Sequence, residues 1–351
     1  MARSASDGAA NEFARDNTKV VKLFATLLQD GARQVAYYHP GLGTMEPPGA
    51  LTSPARHIAK LLGRAFGYGL EADIRDAYIF LMNVFEAGDR VFMFGFSRGA
   101  YTVKAVASML RLYGLIHKGN DALVPYAIRM MTAPDRFALA RPFSRTFSST
   151  ACRPWFVGLW DCVSSVGWIE NPLWVPYNAY NHHIHIGRHA VAIDERRAFF
   201  RQNLWQPPRA PATEAPTDLK QMWFPGVHRD VGGGYPERES GLSKLTLEWM
   251  LREARAAHLL LDETQVEAVL GARGPEYAPP NTTATMHESL TGWWRLAEFV
   301  PKRHYDWTTG RWGRRMNLFR RRVIPKGRSS MSRCTSVAPP MRAGFRQTPN
   351  A

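Results

Sequence analysis

The stretch GDRVFMFGFSRGAYTVKAVASMLRLYG, residues 88–114, decides the fold. Gly88 and Asp89 read as a turn. Val91 to Phe94 then run without a polar residue, as a strand buried on both faces of a parallel sheet does. Beyond Ser97 the apolar residues recur at helical spacing and stop near Gly114. A strand therefore turns sharply into a helix, with Ser97 at the corner. Gly95-Phe96-Ser97-Arg98-Gly99 fits G-x-S-x-G, and the pattern has a physical reason. A serine on a tight strand-to-helix turn lifts its hydroxyl above the sheet. Glycines two before and two after let the neighbouring backbones pass closely. The Arg98 N–H, at a helix N-terminus, faces the place where an oxyanion would form. The pentapeptide alone is weak evidence; the apolar strand before it and the amphipathic helix after it give it weight.

A serine hydroxyl is a poor nucleophile until a base takes its proton, and that base needs an orienting acid. Downstream, WFVGLWD (155–161) reads as a second buried strand ending in Asp161, and QMWFPGVH (221–228) as a third ending in His228. The chain order Ser97, Asp161, His228 is that of an α/β-hydrolase. Asp230 is a rival acid, but it better suits a role in organising the turn DVGGGY, where Gly232 opens a tight loop holding His228. Asp194 reads as a helix-start or ion-pair residue. The run NHHIHIGRH (181–189) has no carboxylate or cysteine at a familiar ligand spacing, so neither a metal nor a cofactor is expected.

Outward from these motifs, 18–28 and 71–86 have helical spacing, as do 55–66, and QVAYY (34–38) reads as a short strand followed by a Gly41-Leu42-Gly43 turn. Residues 133–151 read as a polar loop or cap segment, HAVAIDERR as the start of a helix, QPPRAPATEAPTD (206–218) as an exposed Pro-rich loop, and 243–259 as an amphipathic helix. Strands alternating with helices predict a mostly parallel sheet covered by helices on both faces, with loop and cap insertions. We expect one α/β-hydrolase-like catalytic domain over 1–327 and a basic, disordered tail over 328–351.

A hydrophobic content of 45% is enough for a sizeable core in a 351-residue chain. The net charge is +15, and it crowds toward the C-terminal end, where Arg311, Arg314, Arg315, Arg320, Arg321 and Arg322 read as part of a solvated basic tail. An anionic membrane surface is the alternative partner for that charge. Nucleic acid is not expected, because no RNA-binding aromatic signature or zinc-finger spacing accompanies it. Cys152, Cys162 and Cys334 form no C-x-x-C pair and are odd in number, which suits synthesis in a reducing compartment. No apolar leader and no long apolar run stand out, so the expectation is a cytoplasmic protein or one exported without a cleaved signal.

GFSRGAYT, VGLWDCVSSVG and FPGVHRDVGGGY, supported by DNTKVVKLF, YYHPGLGT, HAVAIDERR and WWRLAEFVPKRHYDW, resemble the type VI secretion phospholipase effector-like α/β-hydrolase domain, long catalogued as a domain of unknown function. The resemblance spans roughly residues 6–325. It implies that Ser97, Asp161 and His228 form the triad and that the substrate is a lipid or phospholipid ester. It also implies a secretion or immunity partner. In this family a strand leads into an Asp-Gly-Thr-type loop, matched here by Asp7-Gly8-Ala9-Ala10-Asn11, whose backbone near Gly8 or Ala9 would supply a second oxyanion donor. A full strand before Asp7 is missing. The rival functions are a soluble esterase for small esters, and a non-catalytic paralogue that binds lipid or a protein.

Overall fold

The computed structural model describes residues 5–6, 17–40, 64–163, 175–206, 218–292, 294–306, 311–324 and 329–330. Its strands, in chain order, begin with β1 (Ala5–Ser6), β2 (Tyr38–His39), β3 (Val91–Phe96), β4 (Leu115–Ile116) and β5 (Ser148–Thr150). They continue with β6 (Pro154–Trp160), β7 (Ile186–Ala192), β8 (Asp218–Phe224), β9 (Lys302–Asp306), β10 (Arg311–Arg315) and β11 (Ser329–Ser330). The helices are α1 (Lys19–Ala25), α2 (Arg64–Val84), α3 (Arg98–Tyr113), α4 (Val124–Thr132), α5 (Ala140–Phe147), α6 (His228–Gly232), α7 (Gly241–Ala256), α8 (Glu263–Val269) and α9 (Trp294–Ala297).

Seven strands form one sheet in the order β11-β8-β7-β6-β3-β1-β2, and every pair in it is parallel. The strand expected to be missing before Asp7 is there in part: Ala5 and Ser6 pair with Phe94 and Gly95 on one side and Tyr38 and His39 on the other. All six residues of β3 are buried, and the period of two sorts them. Val91 and Met93 face a core built with α2, α3, α4 and α5. Phe92, Phe94 and Phe96 face the opposite core, built with α1, α7 and α8. β6 repeats this, with Val157 and Leu159 on the first side and Phe156 and Trp160 on the second. Helices thus cover both faces, as the α/β expectation required. No helix among the described residues is long and apolar enough to cross a membrane.

Several local expectations change. Residues 186–192, within HAVAIDERR and the run before it, form a strand instead of a helix. Alanine, glutamate and arginine favour helix, but a place between β6 and β8 in a buried sheet overrides that preference. The polar stretch 133–151 is a 3₁₀ turn, then α5, then β5, with Phe143 of α5 turned into the core. QMWFPGVH divides: β8 ends at Phe224, and His228 begins α6. Gly226, with φ of 109°, makes the break between them. Asp194 starts no helix and accepts the Gly226 N–H at 2.8 Å. In the segment expected to be a tail, Ser329 and Ser330 pair with Met222 and Trp223 at the sheet edge. The Gly41–Gly43 turn, most of 55–66 and the Pro-rich 207–217 lie outside the described residues.

Candidate active site

Ser97 sits where β3 passes into α3, with φ of 58° and ψ of −117°. A non-glycine residue rarely holds that conformation, and here its neighbours impose it. Its N–H donates to the Trp160 carbonyl at 3.0 Å, tying the corner to the end of β6. A Cβ on Gly95 would lie 2.5 Å from the Gly99 carbonyl oxygen, so the first glycine of the motif is set by the close approach of the helix backbone. Arg98 is the first residue of α3, and its N–H belongs to the positive end of that helix.

Asp161 immediately follows β6 in a second left-handed conformation, with φ of 37°. Its N–H donates to Ala190 O at 2.7 Å, and its Oδ1 accepts the Ala192 N–H at 2.9 Å. The side chain is fully buried. His228 comes from the first turn of α6. Its Nδ1 is 2.6 Å from Asp161 Oδ2, and its Nε2 is 2.8 Å from Ser97 Oγ. The carboxylate can only accept, so Nδ1 carries the proton and Nε2 is left to accept from the serine hydroxyl. That chain of atoms is the arrangement in which an imidazole can take a hydroxyl proton while a carboxylate steadies its charged form. Burial pushes the His228 imidazole below its ordinary range, against the pull of Asp161. Burial would raise the Asp161 carboxyl, but the charge of Arg322 and the bond from His228 hold it well below the usual carboxylate range.

The imidazole is gripped on both sides. Phe96 lies against it at 4.6 Å between ring centres, and Phe200 meets it edge-on at 4.8 Å. Gly232 is needed because a Cβ there would fall 1.9 Å from the Phe96 ring. Asp230 lies in the turn: its Oδ2 accepts the Val227 N–H at 3.0 Å, one residue before His228, and its Oδ1 meets His287 Nδ1 at 2.6 Å.

Two contributors carry no signal of their own in the sequence. Glu195, buried, accepts the His228 N–H at 3.2 Å and the Ser289 hydroxyl, and pairs with Arg197 at 2.9 Å. Arg322, expected to be a solvated tail residue, instead puts its guanidinium on Asp161, with Nη1 2.5 Å from Oδ1 and Nη2 3.1 Å from Oδ2. Its side chain is 5% exposed. Gly8 and Ala9, the expected second oxyanion donors, lie outside the described residues.

The histidines of the 181–189 run are spent on packing and local bonds. His182 Nδ1 meets Arg111 at 2.6 Å, His183 Nε2 meets Cys152 O at 3.1 Å, and His185 stacks on Trp155. His189 lies behind Asp161, where its Nε2 accepts the Cys162 N–H at 3.0 Å. Burial, then the nearby Lys104 charge, lower it to about 3, so it is neutral. Among the described residues no group of three or more histidine, cysteine or carboxylate side chains could hold a metal ion.

The model of the type VI secretion (T6SS) phospholipase effector Tle1-like catalytic domain matches residues 5–253. Over 207 residues the chain is 35% identical to uncharacterized protein YEL023C of Saccharomyces cerevisiae, covering 54% of this chain and 30% of that protein. A crystal structure of an uncharacterized protein from Pseudomonas aeruginosa aligns with a TM-score of 0.42 at 16% identity, covering 75% of this chain and 46% of that one. The chain spans less than half the length of either.

Proposed function

The chain belongs to the family of the T6SS phospholipase effector Tle1-like catalytic domain, and from that premise we propose that it is a serine hydrolase of lipid or phospholipid esters. The observation that supports this most is the unbroken contact chain from Ser97 Oγ through His228 to Asp161, with steps of 2.8 and 2.6 Å, at a strand-to-helix corner. His228 Nε2 takes the proton of Ser97 as Oγ attacks the ester carbonyl. The Arg98 N–H, at the start of α3, steadies the oxyanion. The intermediate collapses to an acyl-serine, and the alcohol leaves with the proton from His228. Water, deprotonated by His228 in turn, attacks the acyl group and releases a carboxylate and free Ser97. Asp161 orients His228 throughout.

The proposed partner surface is an anionic lipid layer. Most of the large apolar side chains that face water among the described residues fall between 296 and 324, among them Phe299, Met316, Leu318 and Val323. The exposed Arg311, Arg314, Arg320 and Arg321 stand in the same segment. Apolar side chains to enter a lipid layer and cations to meet its headgroups suit an interface.

The test is hydrolysis of a short-chain nitrophenyl ester and of phosphatidylglycerol vesicles, wild type against Ser97→Ala. Activity on both, absent in the variant, supports the phospholipase reading. Activity on the short ester alone makes the protein a soluble esterase. A folded wild type inactive on both is a non-catalytic binder.

A further inference from the structure

Arg322 is out of keeping with its surroundings. Arg320, Arg321, Val323 and Ile324 beside it are exposed, yet its own guanidinium is buried against Asp161. Besides the two bonds to the carboxylate, Nη1 donates to Ala192 O at 2.9 Å, and Nη2 donates to Phe200 O. One side chain therefore ties together the end of β6, the end of β7 and the segment bearing Phe200, whose ring packs against His228. Of these, Asp161 meets the imidazole at Nδ1 and Phe200 meets its ring. A two-pronged guanidinium contact fixes a carboxylate in one plane, which an ammonium cannot do.

We propose that Arg322 is a positioning residue for His228: it sets the plane of the Asp161 carboxylate and the place of Phe200, and it draws to itself part of the negative charge that the imidazole would otherwise receive alone. This rests on reading Ser97, His228 and Asp161 as the reacting set. The charged groups around the imidazole are few. Asp161 faces it from the end of β6, Glu195 and Arg197 from the segment after β7, and Arg322 from beyond β10. Lys104 of α3 and the neutral His189 of β7 act on Asp161 and Cys162 beyond it. An imidazolium gains less from a carboxylate that a second cation already engages. His228 thus stays neutral, and able to accept a proton, into mildly acidic solution.

The experiment follows the imidazole protons of His228 by NMR across pH, assigned with a His228→Gln control, in wild type, Arg322→Gln and Arg322→Lys. Arg322→Gln removes the charge, and its His228 titration is expected to move up by about one pH unit. The acid limb of kcat/KM for a nitrophenyl ester should move with it. Arg322→Lys keeps the charge and loses the fork. Its titration should stay near that of wild type while kcat falls roughly tenfold with little change in KM. A folded Arg322→Gln whose His228 titration matches wild type overturns the proposal. If that variant does not fold, a wild-type kcat in Arg322→Lys overturns it instead. Should the wild type neither hydrolyse esters nor react with a serine-directed fluorophosphonate, the functional reading fails, and the NMR titration still decides what Arg322 does to His228.

Discussion

Asp161→Asn separates the two duties of one carboxylate. As the partner of His228 its loss should cut ester hydrolysis by on the order of 10⁴-fold, because the amide favours the wrong imidazole tautomer. As the partner of Arg322 it leaves a buried guanidinium without its anion, and breaking such a pair costs about 3–5 kcal/mol. Urea unfolding should therefore show Asp161→Asn well below wild type and Ser97→Ala close to it. Equal stability of the two variants would mean that the Arg322 contact does not hold in solution. Gly232→Ala should fail for another reason: its methyl would meet the Phe96 ring. Overpacking of that kind costs about 1–3 kcal/mol, and Phe96 would push on His228, so kcat and the melting point should fall together. Ser97 and Asp161 were legible because each ends an apolar run and the glycine spacing marks the corner. Arg322 was not, because its partner is far away in the chain and its basic neighbours point to water. Nothing local sets it apart from Arg320 or Arg321.

The elements that carry the site are short, and their ends do the positioning. α6 has five residues, too few to stand alone, so its start depends on side chains from elsewhere. Asp230→Ala removes the acceptor of the Val227 N–H and should cost about 1–2 kcal/mol, as the loss of a helix cap does. It should also be read at His287. Burial alone would lower that imidazole, but Asp230 and Glu239 raise it, so without Asp230 its titration by NMR should fall. An unchanged His287 would contradict the contact. β3 was legible as an unbroken apolar run between a turn and the serine motif, and α3 from its helical period. β7 was not, because Gly187, Arg188 and His189 interrupt its apolar residues and no apolar run marks it as a buried strand. Its alanines then read as helix. The start of α6 was hidden too, since the apolar run of β8 reads on to His228 and only Gly226 breaks it.

At the scale of the whole molecule, the folded state holds several histidines neutral. His189 is lowered to about 3 and His182 to about 4, both chiefly by burial, and His228 and His183 are lowered as well, while His287 is raised. An unfolded histidine takes its proton near 6.5, so as pH falls through that value the unfolded state binds protons that the lowered groups refuse. Stability should therefore drop as pH falls from about 7 to about 3, with His287 opposing weakly. His189→Gln should flatten the dependence of the urea midpoint on pH, and an unchanged slope would show that His189 is not held neutral. The central claim, that this fold makes Ser97 a nucleophile, is tested most directly by mass spectrometry after incubation with a fluorophosphonate. The account predicts one adduct, mapped to Ser97, formed by wild type, absent from Ser97→Ala and strongly slowed in His228→Gln. An unlabelled, folded wild type, or an adduct on any other residue, would contradict it.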